Sequence, residues 1–222
     1  MCADSVRRLV SQCLVAGAIV CAASSAAAEE HGRLFGVLPN YTTVDKQPEA
    51  SAGESLDVPP MSAQYSFKLA NLSSFDPVVF PFVGLKTALG AGASSDSSFG
   101  GRYGKAFADN AIGNFMTMAI VPSLLKRDPR YFRQGQGGLF HRMAYAASRS
   151  VVGQTRSGDP KFSISKVGGN LAAASLSNLY YSPADRTVTA TMSRWASLMM
   201  WNTVSNELKE FWPDIHAKLH KQ

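Results

Sequence analysis

Four zones of hydrophobic patterning succeed one another along the 222 residues. The first is continuous: LVAGAIVCAA (14–23) follows Arg7 and Arg8 and runs into the small residues of SSAAAEE. A basic start, an apolar run shorter than the roughly 20 residues that a bilayer core needs, and a small-residue exit describe a secretory signal peptide over 1–28, with cleavage expected after Ala28. The second zone is a short sticky patch, Leu34, Phe35, Val37 and Leu38, within HGRLFGVLPNYTTV (31–44). The third, DKQPEASAGESLDVPP (45–60), offers almost nothing to bury. Residues 29–61 are therefore expected to be an extended or disordered segment and linker, whose patch docks on the domain or on a partner. From Ser62 onward apolar residues recur at helical spacing, and no segment alternates convincingly with period two. The expectation is an all-α domain over 62–222, a compact bundle of five to six helices.

Start and stop signals divide that domain. Ser62 is placed to cap a helix over AQYSFKLANL, and Asp76 followed by Pro77 reads as an N-cap with proline at the first helical position. This second helix should run to about Gly90, with Pro81 tolerated near its start. After the loop GAGASSDSSFGG (90–101), a long helix over about 102–126 would place Phe107, Ala111, Phe115 and Met118 on one face, with Pro122 kinking or shortening it. LFHRMAYAASRSVV (139–152) forms the next, and Ser163 or Ser165 opens another that reaches Tyr180. Ser182-Pro183 breaks the chain before a last helix from about Ala184 to Trp212, with Trp201, Val204, Leu208 and Phe211 at helical spacing.

A second pattern overlies the first. Gly84, Ala88 and Gly92, then Gly100, Gly104 and Ala108, then Gly169, Ala173 and Ser177 repeat small residues every four positions. Such stripes let helices approach closely, either inside a soluble bundle, in an oligomer, or at a membrane. Lys86, Asp109, Asn110, Asn114 and Asn170 interrupt these segments, so insertion is disfavoured while association with a membrane surface stays open.

The charge balance is modest. Removing Asp4, Arg7 and Arg8 with the leader leaves 20 Lys+Arg against 15 Asp+Glu, a net charge of +5. That favours an anionic lipid or cell-wall surface and argues against nucleic acid. Cys2, Cys13 and Cys21 all fall within the leader, so the mature chain would have neither disulfide nor thiol chemistry.

Catalytic motifs are sparse. There is no G-x-S-x-G elbow, the glycines at 135, 137 and 138 lack a P-loop context, and no carboxylate pair stands out. His216 and His220 are four apart, half of a metal site without a third ligand, so neither a metal nor another cofactor is expected. This pattern weighs against an enzyme. The best binding candidate is KRDPRYFRQGQGG (126–138), where Lys126, Arg127, Arg130 and Arg133 flank Tyr131 and Phe132. If Arg130 to Arg133 is one helical turn, both guanidinium groups share a face beside an aromatic ring, suited to phosphate headgroups or carboxylated glycans. An alternative is a small-ligand or enzymatic groove between helices lined by His141, the only histidine in the helical core, with Tyr145, Tyr180 and Tyr181. One of the two adjacent tyrosines is expected to reach solvent or the loop of Tyr131, since both cannot face a core from one helix. Phe211 and Trp212 before Pro213 read as a staple closing the bundle.

LFGVLPNYTTV, SSFDPVVF, YGKAFADNAIGNF, PSLLKRDPRYFRQGQG, GNLAAASLSNLYYSPADRT and LKEFWPDI together resemble an uncharacterised family of small exported proteins of acidobacteria and related soil bacteria. The resemblance covers nearly all of the mature chain and implies a Gram-negative envelope protein, periplasmic or associated with the outer membrane. It transfers no catalytic residue. The function expected from the sequence is a non-enzymatic structural or interaction module, peripherally associated with a membrane or envelope component; the ligand-groove and membrane-integral readings are the alternatives.

Overall fold

The structure, a computed structural model, describes residues 33–34, 38–39, 42–45, 62–91, 94–95, 98–154 and 160–219. The chain divides into two compact units, Met1–Pro39 and Asn40–Gln222. In the first unit, β1 (Arg33–Leu34) pairs antiparallel with β2 (Leu38–Pro39). The leader and residues 46–61 lie outside the described residues.

The second unit is predominantly helical, with six helical rods among the described residues. Helix α1 (Ala63–Phe75) starts as expected, with the Ser62 hydroxyl accepting from the Tyr65 N–H at 3.1 Å. Helix α2 (Val79–Ala88) begins two residues after Pro77. The reason is a local turn: the Val79 N–H reaches the Asp76 carbonyl at 2.8 Å and the Val78 N–H reaches the Asp76 carboxylate at 3.0 Å. Asp76 thus serves a turn between two helices. Gly90, at φ 100°, then ends α2 in a conformation that side chains rarely adopt.

The third rod runs through Pro122. Helix α3 (Phe99–Asn114) leads into a π-helical turn (Phe115–Ile120) and on into α4 (Val121–Leu125). Proline in a helix interior clashes with the carbonyl four residues back. Here the turn ahead of Pro122 is widened, with the Val121 N–H bonding to the Met116 carbonyl, so the rod continues instead of breaking. Lys126 ends α4 at φ 51°.

Short strands, absent from the expectation, appear next. β3 (Thr43–Asp45) pairs in parallel with β4 (Tyr131–Arg133) in the register Thr43↔Tyr131. Part of the supposed linker region therefore docks in cis on the basic stretch. Helix α5 (Leu139–Ser148) is followed by the antiparallel pair β5 (Val152–Gln154) and β6 (Pro160–Phe162). Helix α6 (Ile164–Leu176) is capped by Ser163, and 3-10 turns at Ser177–Leu179 and Pro183–Asp185 lead to α7 (Val188–Leu219). The last helix passes through Pro213, so the expected staple at Trp212 lies inside a continuing helix.

Helix α6 packs on α7, α3 and the π turn, while α2 packs on α3 and α5 on α7. Val79, Val83, Ala106 and Phe107 form one apolar cluster, with the Phe80 ring stacked 5.3 Å from that of Phe107. Among the described residues, which leave out Gly92, one of the expected small-residue stripes is a tight helix contact. A Cβ on Gly169 would meet Thr117 Cγ2 at 3.1 Å and the Met116 carbonyl at 3.2 Å, and Ala173 and Ser177 are fully buried behind it. Gly100 and Gly104 have open space around them, and Ala88 is exposed. Among the described residues no helix is long and apolar enough to cross a membrane.

Candidate functional site

The basic, aromatic stretch folds differently from one helical turn. Tyr131 and Phe132 are 2% and 7% exposed, because β4 holds them between β3 and the helices. Neither ring is available to a surface ligand. Arg130 is engaged by its neighbour: Nε lies 3.0 Å from both Asp128 oxygens and Nη2 lies 2.6 Å from Oδ2. Arg133, at the far end of β4, lies near Gly135. Of its basic and aromatic residues the stretch exposes Lys126, with Leu124 and Leu125 exposed just before it, while Arg127 is half-buried.

The stretch is tied down by a residue that no sequence motif singles out. Glu210, fully buried on α7, accepts from the Tyr131 hydroxyl at 2.8 Å, the Gln134 N–H at 3.1 Å, the Gly135 N–H at 2.9 Å and Arg142 Nε at 2.9 Å. Arg142 also donates to the Glu210 carbonyl and, at 2.5 Å, to Asp214. Burial alone would raise the Glu210 carboxyl, yet these donors hold it below its ordinary range. The glycine that frees the chain at position 135, φ 67°, also presents its N–H to this carboxylate.

The four groove residues do not form one groove. His141 is exposed, outside any groove with the tyrosines, with Nδ1 3.1 Å from Gln134 Nε2; Tyr145 donates to the Phe132 carbonyl at 2.7 Å. Tyr180 and Tyr181 sit at the other end of α6, where both hydroxyls donate to Asp109, that of Tyr181 at 2.8 Å. Neither reaches Tyr131 or opens freely to solvent. The 3-10 turn before them takes the pair off the helix, so adjacent rings can converge on one carboxylate.

Asp109 leads to a cavity of about 160 Å³ whose lining includes Lys86, Asp109, Arg194, Ser197 and Trp201. Lys86, 4% exposed, lies 5.4 Å from the Trp201 ring and 5.7 Å from Phe82, and its one hydrogen bond among the described residues goes to Asn110 Oδ1 at 3.3 Å. Burial pushes its amine down to about 8, against the opposing pull of Asp109. Asp109 is itself pushed up by burial, with the two phenols, Arg194 and Lys86 countering. Arg194 stacks 4.3 Å from Tyr181 and donates to Asn178 and to the Asp185 carbonyl, while its buried Nε has no partner among the described residues. Asp185 is occupied by Ser95 and Ser182. The carboxylates near the cavity are thus supplied with donors, whereas the cations keep N–H groups to spare.

Lys86 and Asp109 had a signal in the sequence, as charged residues inside otherwise apolar or small-residue helix segments. That interruption counts against membrane insertion, but it also marks side chains that the bundle must bury. Among the described residues no group of three or more His, Cys, Asp or Glu is placed to hold a metal; the His216 side chain and His220 lie outside them. Compared with known proteins, the chain matches no family model, no curated protein sequence and no solved structure.

Proposed function

We propose that this chain is an exported binding protein of the cell envelope that holds a small carboxylate in the cavity between α2, α3 and α7. The observation that carries the reading is the imbalance of hydrogen-bonding capacity around that space. Asp109 and Asp185 already accept from hydroxyl and amide donors, while Lys86 has one long hydrogen bond and Arg194 Nε has none among the described residues. Buried donors without acceptors cost about 1–3 kcal/mol each, so an acceptor ligand is favoured. A volume of about 150 Å³ is enough for a molecule the size of benzene. The ligand is accordingly a short-chain or single-ring carboxylic acid, its anion at Lys86 and its apolar part against Trp201. Peripheral contact with a membrane surface falls, on this reading, to Lys126, Arg127 and the exposed leucines 124 and 125.

The test is calorimetric titration of the folded mature chain with a panel of small aliphatic and aromatic carboxylates. Binding should weaken at least tenfold in Lys86→Met, a loss of about 1.4 kcal/mol or more. It should vanish in Ser197→Leu, which fills the cavity without removing a charge. Equal affinity in the wild type and both folded variants would eliminate the cavity as the site.

A further inference from the structure

Three cations lie away from the cavity, where α7 packs on both α5 and α6 and the Lys209 charge acts on Lys166. Arg149 is the C-cap of α5, Lys166 lies in the first turn of α6, and Lys209 comes from the C-terminal half of α7. Lys166 Nζ donates to the Arg149 carbonyl at 2.7 Å, which fixes the end of α5 against the start of α6. The Arg149 guanidinium lies 4.4 Å from the Tyr145 ring centroid, and its Nε and Nη1 are buried without a hydrogen-bond partner among the described residues. Lys209 makes no hydrogen bond or ion pair among the described residues. Ser165, beside Lys166 and 4% exposed, likewise has an unpartnered hydroxyl among them.

These charges oppose one another. Burial first, and then Lys209 and Arg149, push the Lys166 amine down to about 7; Asp128 is the acidic group that acts against this, and it is already paired with Arg130. Burial likewise pushes Lys209 down to about 8. A bundle that merely needed to fill space here would use apolar side chains, since buried ions without counter-ions are costly. Placing cations from three helices together with buried N–H and O–H groups left over is instead the composition of a site for an acceptor-only dianion.

We infer that Arg149, Lys166 and Lys209 form a half-buried oxyanion site that takes a phosphate group, supplied by free phosphate or by a phosphomonoester headgroup. The bound group would accept from the spare guanidinium N–H groups and both ammonium groups, at the N-terminal end of α6 where negative charge is further favoured. This site is independent of the carboxylate cavity, and each stands if the other fails.

The experiment is thermal unfolding of the mature chain at constant ionic strength as inorganic phosphate replaces chloride, beside the variants Lys209→Met and Lys166→Met. Wild type should gain roughly 5 °C or more in Tm at phosphate well above its Kd. Lys209→Met is the cleaner variant, because that amine has no hydrogen bond among the described residues to lose. It should be at least as stable as wild type without phosphate, having shed a repulsive charge, and should gain nothing from phosphate. A second arm measures co-sedimentation with phosphatidate vesicles. A Tm response to inorganic phosphate assigns the free anion; sedimentation without that response, lost in Lys209→Met, assigns the headgroup. Neither response, or an equal response in wild type and both folded variants, overturns the site.

Discussion

Each oxygen of Glu210 accepts two hydrogen bonds: Oε1 from the Gly135 N–H and Arg142 Nε, Oε2 from the Tyr131 hydroxyl and the Gln134 N–H. A glutamine in this place would present an NH2 group to two donors wherever its amide turned, and would leave Arg142 without its buried counter-charge. Breaking such a pair costs about 3–5 kcal/mol, so Glu210→Gln should lower the free energy of unfolding by about that much in urea titration. Asp214→Asn, whose side chain is 46% exposed, should cost less than about 1 kcal/mol. A Glu210→Gln loss no larger than that of Asp214→Asn would show that the carboxylate does not hold the loop. The same residue explains what was hard to read in KRDPRYFRQGQGG. Its richness in charge and aromatic groups was evident, but the partner that buries Tyr131 lies 79 positions away. The apolar spacing of Trp201, Val204, Leu208 and Phe211 drew attention to one face of α7, yet Leu208 is 41% exposed and the buried positions among the described residues of α7 are polar: Arg194, Asn206 and Glu210. Hydrophobic periodicity finds a core made of hydrocarbon; it does not find a face buried through hydrogen bonds.

The contact between α6 and the π turn is the clearest link between a local irregularity and helix packing. The widened turn places the Met116 carbonyl and Thr117 against Gly169, so a methyl group there fits only if these neighbours give way by a few tenths of an ångström. Gly168, one position away, has only Ile164 Cγ2 at 3.7 Å. Gly169→Ala should therefore destabilise the protein by about 1–3 kcal/mol through overpacking. Gly168→Ala should be neutral or stabilising by up to about 1 kcal/mol, as helix propensity predicts. Chemical denaturation of both variants checks the contrast; equal effects would mean that the π turn gives way and does not constrain α6. The helical elements themselves were legible, because Ser62 and Ser163 supply caps that local sequence is enough to reveal. Pro122 and Pro213 were misleading as stop signals, since a π turn and a long packed helix carry the chain past them. The three-residue strands were not legible at all. Thr43–Asp45 has too few residues to display alternation, and its pairing depends on a distant segment.

At the scale of the whole molecule, the buried titratable groups bias stability toward alkaline pH. Lys86, Lys166 and Lys209 are lowered from 10.5 to about 8, 7 and 8, in each case chiefly by burial. Below about pH 6 they are largely protonated in both states and contribute no slope there. Between that pH and 10.5 the unfolded chain binds more protons than the folded one, so stability rises with pH, by up to about 1.4 kcal/mol per pH unit for each group. Tyr131, Tyr180 and Tyr181 act in the opposite sense. Burial first, and then Asp109 or Glu210, raise them above 10.0, so beyond that pH the unfolded chain loses phenolic protons that the folded chain keeps. Stability should therefore climb from about pH 6 to a maximum near pH 10 and then level off or fall, whereas proteins commonly peak between about pH 5 and 8. Acid adds a further boundary: Glu210, held low by its donors, loses its contribution as pH falls through its folded value, and the raised Asp109 partly offsets that loss. Melting curves followed by circular dichroism in an amine buffer with chloride alone would trace the rise. A Tm that is flat or falling between about pH 7 and 9 would mean that these amines carry their protons in the folded state. Phosphate provides an internal control, because an oxyanion at Arg149, Lys166 and Lys209 favours the charged lysines and so should flatten the slope. Lys86 lines the separate cavity, so its share of the slope should remain, and Lys86→Met in saturating phosphate should remove most of what is left.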